Sequence, residues 1–186
     1  MIGNKVISSI WCQDLNNGIG YKNKLLASIP LDLKHFKSRT KNKVCIMGRK
    51  TLDSIIEYNG EPLPDRHTVV LTNDESYKQH KNVIKYTSFE KLIRDIESNT
   101  YPFVTSEDIV ICGGAQIYEL FSGFTDLFYI TQIKKCYEKV DSYISNKTLS
   151  VIEDNTVSLP SCMTDYFKDE NGINTKFEFQ LKIIKK

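Results

Sequence analysis

The stretch "VICGGAQIYELF", residues 110–121, contains an apolar run, two adjacent glycines and a segment whose apolar residues recur with helical spacing. It predicts a buried strand that turns at Gly113 and Gly114 directly into an amphipathic helix. Paired glycines let the backbone approach a ligand closely, and a helix N-terminus can hold an anion such as a pyrophosphate. A tight turn without a ligand is an equally good interpretation of this stretch alone.

A second stretch, "VCIMGRKTLDSI" at residues 44–55, repeats the pattern of strand, glycine and helix start. Arg49 and Lys50 follow its glycine, so two cations stand beside free backbone N–H groups, as in a phosphate clamp. Solvated surface charges are the alternative interpretation of an isolated Arg-Lys pair. Two such turns in one sheet favour a ligand, because open α/β sheets bind ligands at the carboxyl ends of their strands.

Strand and helix patterns alternate along the chain. We predict helices over residues 30–40, 49–56, 88–98 and 114–123, and strands over residues 5–11, 43–48, 67–73, 82–87, 108–114, 126–133 and 177–184. This alternation predicts an α/β fold with a mostly parallel sheet covered by helices on both faces. From about Ser150 the sequence is strand-like without a helix, which predicts an antiparallel edge hairpin with its turn in residues 168–175.

The composition is that of one ordinary globular domain over residues 1–186. A net charge of +2, from 25 basic and 23 acidic residues, gives no support for nucleic-acid binding. No apolar run approaches the roughly 20 residues of a membrane helix, and the first residues lack the features of a secretion signal. The three histidines have no metal-ligand spacing, so we predict no metal site.

The cysteines bear on the compartment in which the protein works. Their number is odd and their spacing wide, which we interpret as buried thiols in a reducing compartment. We therefore expect a cytoplasmic protein. The five cysteines are Cys12, Cys45, Cys112, Cys136 and Cys162.

Asp32 lies in "SIPLDLKHFKSRT", residues 28–40, two residues after a proline that suits a first helical turn. Helical spacing places it on the same face as Leu33 and Phe36. Its carboxylate either complements the helix dipole at a solvated rim or occupies an apolar pocket that raises its pKa, and this segment leaves both interpretations open. Farther along, "PLPDR" presents Arg66, which suits either a carboxylate partner or plain surface exposure.

Taken together, six stretches resemble the dihydrofolate reductase family in order and spacing over about residues 5–145. They are "NNGIGYKNKLL", "IPLDLKHFKSRT", "VCIMGRKTLDSI", "PLPDR", "VICGGAQIYELF" and "FYITQI...VDSYI". The resemblance implies an eight-stranded, mostly parallel sheet flanked by four helices. It also implies a monomeric enzyme that moves a hydride from NADPH to C6 of 7,8-dihydrofolate while N5 gains a proton, supplying tetrahydrofolate to one-carbon metabolism.

The resemblance also implies roles for individual residues. Asp32 would be the acidic residue of a pterin pocket, Thr131 would bond its carboxylate, and Arg66 would pair with the α-carboxylate of the folate glutamate. The carbonyls of Ile10 and Cys112 would line the same pocket. The implied catalytic residues are Asp32, Thr131 and Leu25. The implied substrate-binding residues are Ile10, Trp11, Cys12, Ala27, Asp32, Leu33, Phe36, Ile55, Arg66, Cys112, Tyr118 and Thr131.

For the cofactor, the resemblance implies that the two glycine turns hold phosphates, that the Gly113–Gly114 bond is cis, and that a mobile loop around Gly20 closes over the nicotinamide. Arg49 with Lys50 favours NADPH over NADH, because a 2′-phosphate needs cations where NADH needs a hydroxyl acceptor. The implied cofactor-binding residues are Cys12, Ile19, Gly20, Asn23, Leu25, Gly48, Arg49, Lys50, Thr51, Leu71, Thr72, Asn73, Cys112, Gly113, Gly114, Ala115, Gln116, Ile117 and Tyr118.

Three positions depart from the family pattern. Leu26 and Ala27 stand where the family usually has Pro-Trp, and that tryptophan normally packs beside the substrate and holds an ordered water. Asp65 stands in place of a glycine, so we expect its negative charge beside Arg66 to weaken glutamate binding. Ala115 replaces a third glycine found in many members, which is a mild change.

Two other functions remain open. One is a same-fold reductase that reduces a ribosylamino-pyrimidine in riboflavin synthesis, although the acid at position 32, the "LKHFK" that follows it and the arginine of "PLPDR" argue against this function. The other is a non-catalytic folate-binding or nucleotide-binding structural protein. The missing tryptophan keeps that second function in view.

Overall fold

The computed structural model describes residues 4–78, 80–103 and 108–185, without the side chains of residues 160–162. The described strands are β1 (Val6–Gln13), β2 (Gly18–Gly20), β3 (Val44–Gly48), β4 (His67–Leu71), β5 (Val83–Tyr86), β6 (Asp108–Ile111), β7 (Leu127–Ile133), β8 (Ser142–Tyr143), β9 (Thr156–Lys168) and β10 (Asn174–Ile184). The described helices are α1 (Pro30–Thr40), α2 (Arg49–Asn59), α3 (Phe89–Glu97), α4 (Ala115–Phe121) and α5 (Asn146–Asn155), with a 3-10 turn at Ser122–Phe124.

Eight of these strands form one sheet in the order β5-β4-β3-β6-β1-β7-β10-β9. The six strands from β5 to β7 in that order are parallel, while β10 runs antiparallel to both β7 and β9. The predicted eight-stranded, mostly parallel sheet with an antiparallel edge hairpin is confirmed. A separate ribbon pairs β2 with β8.

The four predicted helices are present, and local sequence explains where they begin and end. Pro30 occupies the first turn of α1, where its missing N–H costs nothing. The Ser88 hydroxyl caps α3 by accepting a hydrogen bond from the Lys91 N–H at 3.2 Å. Helix α2 ends at Gly60, whose φ of 80° lies in the left-handed region that glycine adopts readily.

The segment around Ser150 corrects the sequence prediction. Residues 146–155 form helix α5, so the described chain has five helices where four were predicted, and the strand begins at Thr156. Ser145 caps this helix by accepting a hydrogen bond from the Thr148 N–H at 3.3 Å. The buried residues of α5, Thr148 and Ile152, are four positions apart. Their β-branched side chains favour strands, which explains the wrong prediction.

Alternation along β1 sends its side chains to opposite faces of the sheet. Trp11 packs with Phe121 and Phe128 on one face, and Ile10 packs with Met47 on the other. A third cluster joins the start of α1 to the edge hairpin and contains Ile29, Ile133, Phe167, Phe177 and Phe179. Helix α1, which carries the candidate acid, is therefore held between the sheet and the hairpin.

The cysteines differ in exposure. Cys45 and Cys112 are buried, Cys12 is half-buried and Cys136 is exposed, and all four are free thiols. The exposed Cys136 corrects the prediction of buried thiols, while the side chain of Cys162 lies outside the described residues. Within the described residues, no helix is long and apolar enough to cross a membrane. The same part of the chain brings no three His, Cys, Asp or Glu residues together as a metal site.

Candidate active site

Asp32 lies in the first turn of α1, and its carboxylate accepts a hydrogen bond from the Thr131 hydroxyl on β7 at 2.6 Å. The contact between these two side chains that the resemblance implied is therefore present. Burial raises the pKa of Asp32, and the hydrogen bond from Thr131 opposes that shift without cancelling it. The carboxylate thus occupies a partly dry cleft, which favours the pocket interpretation over the solvated rim.

The sheet fixes the neighbours of Thr131. The strand register places Thr131 opposite Cys12 on β1 and opposite Phe179 on β10. Burial raises the pKa of the Cys12 thiol, and the charges of Asp32 and Asp14 raise it further. Because that thiol stays protonated, it places no second negative charge beside Asp32.

Tyr118 joins α4 to this part of the sheet. Its hydroxyl donates a hydrogen bond to the carbonyl oxygen of Ile10 at 2.7 Å. A carbonyl oxygen accepts two hydrogen bonds, so the Ile10 oxygen can also receive a ligand N–H. Burial raises the pKa of Tyr118 well above its ordinary value, with smaller contributions from Cys112 and Asp32. Tyr118 therefore contacts the Ile10 carbonyl and lies within electrostatic reach of both Cys112 and Asp32.

Apolar residues of α1 and α2 lie near the core cluster that contains Ile10 and Cys112. Leu33 on α1 keeps 40% of its surface exposed. Phe36 on α1 and Ile55 on α2 are half-buried and pack on the same core cluster. Partly open apolar side chains on two neighbouring helices suit a flat aromatic ring.

Arg66 is oriented at the far end of α1. Its Nε donates a hydrogen bond to the Thr40 hydroxyl at 2.9 Å, and its Nη1 donates to the Pro64 carbonyl. The neighbouring Asp65 has a φ of 58°, in the region where glycine is most at ease. The Asp65 carboxylate lies 3.6 Å from Lys41 Nζ. Lys41 is therefore a cation partner for the negative charge that we expected to act on Arg66.

The two glycine turns meet at the carboxyl ends of β3 and β6. The Gly48 N–H donates a hydrogen bond to the Gly113 carbonyl at 2.7 Å, and the Gly113–Gly114 peptide is cis, as the resemblance implied. Gly113 has a φ of 98°, and a Cβ there would lie 2.8–2.9 Å from Tyr118. Neither Gly48 before α2 nor Gly114 before α4 supplies a capping side chain. Uncapped N–H groups beside close backbone fit the phosphates of a dinucleotide.

Arg49 stands at the start of α2, next to these turns. Its Nη1 lies 3.7 Å from the Asp74 carboxylate, and its guanidinium lies 5.9 Å from the Tyr77 ring centre. The Asp74 carboxylate is held in turn by the Ser76 hydroxyl at 2.6 Å. Sequence reasoning missed Asp74 and Tyr77, since neither belongs to a recognisable turn or motif.

The other predicted cofactor residues lie around the same turns or on the strands beside them. Lys50, Asn73 and Gln116 are exposed, Thr51 and Ala115 are half-buried, and Leu71, Thr72 and Ile117 are buried. The exposed members are therefore free to meet a ligand with their side chains. The buried ones can contribute only limited side-chain surface or backbone groups.

The predicted loop lies between β2 and α1. Its Asn23 carbonyl accepts a hydrogen bond from the Ser54 hydroxyl of α2 at 2.7 Å. Its Lys22 N–H donates to the Asp141 carboxylate at 2.8 Å. Leu25 is 62% exposed, so this loop residue has a large apolar surface open to a ligand. Ile19 is half-buried and Gly20 is buried in the preceding β2 ribbon.

Trp11 and Ala27 pack in different core clusters. The indole of Trp11 is buried against Tyr118, with ring centres 5.0 Å apart, and its Nε1 donates to the Gln13 side-chain oxygen at 2.6 Å. Trp11 and Cys12 are adjacent on β1, so their side chains point to opposite faces of the sheet, and the role of Trp11 in substrate binding stays a prediction. Ala27 packs with the third core cluster, which also includes Tyr137.

Sequence reasoning missed the residues that organise the base of this loop. The fully buried Asp14 carboxylate accepts hydrogen bonds from the N–H groups of Asn16, Gly18 and Tyr137 at 2.8–3.0 Å. The Gln132 side chain donates to the Asp14 carbonyl at 2.8 Å. An acid directly after a strand and before "NNG" is a turn signal, but its partner at residue 137 is invisible in the sequence.

Comparison with known proteins gives one consistent family. The family model described as "Dihydrofolate reductase" matches residues 6–158. The chain is 33% identical to the dihydrofolate reductase of Lactococcus lactis, over 74% of this chain and 77% of that protein, and 29% identical to that of Ureaplasma parvum, over 72% and 78%. A solved dihydrofolate reductase from Enterococcus faecalis, complexed with NADP(H) and RAB-propyl, aligns with a TM-score of 0.77 at 24% identity, covering 100% of this chain and 99% of that one.

Proposed function

Because the chain belongs to the dihydrofolate reductase family, we propose that it reduces 7,8-dihydrofolate to 5,6,7,8-tetrahydrofolate with NADPH. The observation that carries this function is the pair of Asp32 and Thr131, a partly buried carboxylate held by a hydroxyl at 2.6 Å beside apolar walls. The 2-amino and N3 edge of a pterin presents two adjacent N–H donors, which complement a carboxylate.

Substrate binding follows from the residues around that carboxylate. The pterin ring lies against Phe36 and Ile55, and the Ile10 and Cys112 carbonyls are hydrogen-bond acceptors for ring N–H groups that Asp32 does not bind. Arg66 is pre-oriented by its hydrogen bond to the Thr40 hydroxyl and keeps other N–H groups for the glutamate α-carboxylate.

NADPH would occupy the groove formed by the two glycine turns, and it supplies the hydride when bound. The backbone N–H groups after Gly48 and Gly114 meet its pyrophosphate, and Arg49 meets its 2′-phosphate. The loop that Ser54 holds through the Asn23 carbonyl covers this groove and excludes water from the reacting atoms.

Proton delivery to N5 is the chemical task left to the chain. Asp32 bonds the pterin edge and, through the charge and tautomer of the ring, raises the basicity of N5, while a water molecule carries the proton. Thr131 keeps the carboxylate oriented for this bond. The chain's own part in the reaction is thus one ionisable group at a fixed position.

The test is a spectroscopic assay of purified protein with NADPH and dihydrofolate, following the loss of nicotinamide absorbance. We expect turnover by the parent and a loss of about 100-fold or more in Asp32→Asn at neutral pH. Activity of this variant should recover on acidification, because solvent then protonates N5. Asp154→Asn on α5 removes an exposed carboxylate and serves as the matched control with parental activity.

The same assay separates the alternatives. Turnover with a ribosylamino-pyrimidine and none with dihydrofolate would replace the proposal with the riboflavin-pathway reaction. Tight folate binding by calorimetry without turnover would indicate a binding protein. An Asp32→Asn variant as active as the parent at pH 7 would remove Asp32 from the mechanism.

We also propose that the enzyme acts as a monomer and supplies tetrahydrofolate for thymidylate and purine synthesis. All of the groups assigned to the site come from one chain, so no partner subunit is needed to complete it. The free thiols of Cys12, Cys45 and Cys112 suit the reducing cytoplasm. Light scattering that gives the mass of a single chain would support the monomer.

A further inference from the structure

Tyr137 carries a buried polar atom that nothing in the described chain satisfies. Among the described residues, its hydroxyl is one of three buried side-chain polar atoms without a hydrogen-bond partner, with His35 Nδ1 and Thr68 Oγ1. A buried tyrosine hydroxyl usually finds a partner, since leaving it unpaired costs free energy. The partner of Tyr137 is therefore to be sought among molecules that bind the protein.

Both the backbone and the ring of Tyr137 are held in place. The backbone N–H donates a hydrogen bond to the buried Asp14 carboxylate at 3.0 Å. The ammonium group of Lys135 lies 4.8 Å from the ring centre and is itself paired with Asp169 of the edge hairpin at 2.7 Å. A side chain fixed by its backbone and by its ring presents its hydroxyl at a defined position.

The Tyr137 ring belongs to the cluster that borders the proposed pterin pocket. It packs with Ile133 in the third core cluster, where Cys12 and Ala27 are the smallest neighbours. Cys12 lies opposite Thr131 in the sheet register, and Thr131 bonds Asp32. Tyr137 and Asp32 are therefore linked through Cys12 and Thr131, which lie opposite each other on adjacent strands.

The surroundings of Tyr137 keep its hydroxyl protonated. Its pKa is raised to about 12, mainly by burial; the Glu170 carboxylate adds to the rise and Lys135 opposes it. Smaller contributions that raise the pKa come from Cys12 and Asp169. A neutral phenol is a hydrogen-bond donor throughout the working pH range.

We propose that Tyr137 is a positioning residue: its hydroxyl donates a hydrogen bond to a water molecule seated over Ala27 and Cys12, and this water passes a solvent proton to N5 of the bound dihydropterin. The proton comes from solvent and ends on N5, while Tyr137 keeps its own. Resting on the proposed function, this inference assigns a role to a residue outside the motifs that carry the family resemblance. It also explains how a site with Ala27 at its edge orients a water.

The test is Tyr137→Phe, which keeps the ring, its packing and the contact with Lys135. We expect the rate of the chemical step at pH 8 to fall about fivefold, the share of one neutral hydrogen bond, with the KM for NADPH unchanged. The deficit should shrink toward pH 5, where protons are abundant. Tyr166→Phe on β9, where the side chain is 61% exposed, is the matched control and should behave as the parent.

A second variant probes the place of the water. Ala27→Leu should occupy the position proposed for the water and cause a similar pH-dependent loss, and the double variant with Tyr137→Phe should lose no more than either alone. Additive losses, or a Tyr137→Phe variant with the parental rate and pH profile, would overturn the inference. A changed melting temperature with an unchanged pH profile would also overturn it, because that result marks a purely structural role. A parent enzyme without dihydrofolate turnover would instead sink the proposed function, and the two failures are distinct.

Discussion

Asp32 combines a chemical task with a cost in stability. Its pKa is raised because burial disfavours the carboxylate more than the Thr131 hydrogen bond favours it. A group whose pKa is higher in the folded than in the unfolded chain makes folding less favourable at pH values above that folded pKa. Burial of this carboxylate therefore makes the fold less stable wherever Asp32 is ionised.

This cost predicts a stability gain in the variant that loses activity. Asp32→Asn should raise the melting temperature at pH 7, because a neutral amide replaces the buried charge while still accepting from Thr131. The gain should disappear below about pH 3.8, the ordinary carboxyl value, where Asp32 is protonated in both folded and unfolded chains. Calorimetry across pH 3–8 checks this, and a lower melting temperature at pH 7 would contradict it.

Arg49 predicts the cofactor preference. Arg49→Gln should lower kcat/KM for NADPH by about tenfold or more, the ~1.5–3 kcal/mol of a charge-assisted hydrogen bond, and leave NADH nearly unaffected. Asp74→Asn should act in the opposite direction, because the carboxylate 3.7 Å away competes with a phosphate for Arg49. Steady-state kinetics with both cofactors measures this, with Arg94→Gln on α3 as the control. Equal losses for the two cofactors would remove Arg49 from the 2′-phosphate.

At the residue scale, the sequence predicted groups that share a local motif. Asp32, with its proline two residues earlier, and the glycines of the phosphate turns stand in short stretches whose geometry follows from nearest neighbours. Asp14 and Tyr137 were missed because their contact spans 123 residues. No local pattern reports a contact across that separation, so the loop base becomes visible only once the sheet is assembled.

The edge hairpin is an element fixed by one buried carboxylate. Asp169 accepts hydrogen bonds from the N–H groups of Asn171 and Ile173, at 2.9 and 3.0 Å, and from the Thr175 hydroxyl at 3.2 Å. It also pairs with Lys135 at 2.7 Å, which joins the turn to the segment after β7. The Lys135 hydrogen bond is the main reason that the pKa of Asp169 falls from 3.8 to about 2.

That shift predicts acid sensitivity of the hairpin. A depressed pKa stabilises the fold above pH 3.8, and this contribution is lost as the pH falls toward about 2. Asp169→Asn should therefore lower the melting temperature at pH 7, and the difference from the parent should narrow between pH 4 and 2. Glu170→Gln, with a side chain 56% exposed, is the control and should change little. If the melting temperatures of parent and Asp169→Asn differed by a constant amount between pH 4 and 2, the role of the Asp169 charge would be refuted.

Among the elements, the predictions succeeded where a segment has one clear period. Four helices and the strands of the main sheet follow from apolar spacing, caps and glycines. Helix α5 was not predicted, because its β-branched residues favour strands. Tertiary packing of Thr148 and Ile152 overrides that preference. The short pair of β2 and β8 has too few residues to show any period.

At the scale of the molecule, sheet order ties distant parts of the chain together. β1, from the start of the chain, lies between β6 and β7, and β10, from its end, pairs with β7. Helix α1, which carries Asp32, and the two glycine turns after β3 and β6 are therefore positioned by one continuous sheet. Each described strand of this sheet pairs with its neighbours, so unfolding one would expose the core beside it, which predicts one cooperative domain over residues 1–186.

Ligand binding should therefore stabilise the whole domain at once. NADPH at 100 times its Kd adds about 2.7 kcal/mol, which for a domain of this size raises the melting temperature by roughly 5–11 °C. Calorimetry should show a single transition that moves as a unit, and a smaller shift for Arg49→Gln at the same NADPH concentration. Two transitions, or a shift confined to one of them, would show that the sheet does not unfold cooperatively. An equal shift in the variant would mean that the cofactor binds without Arg49.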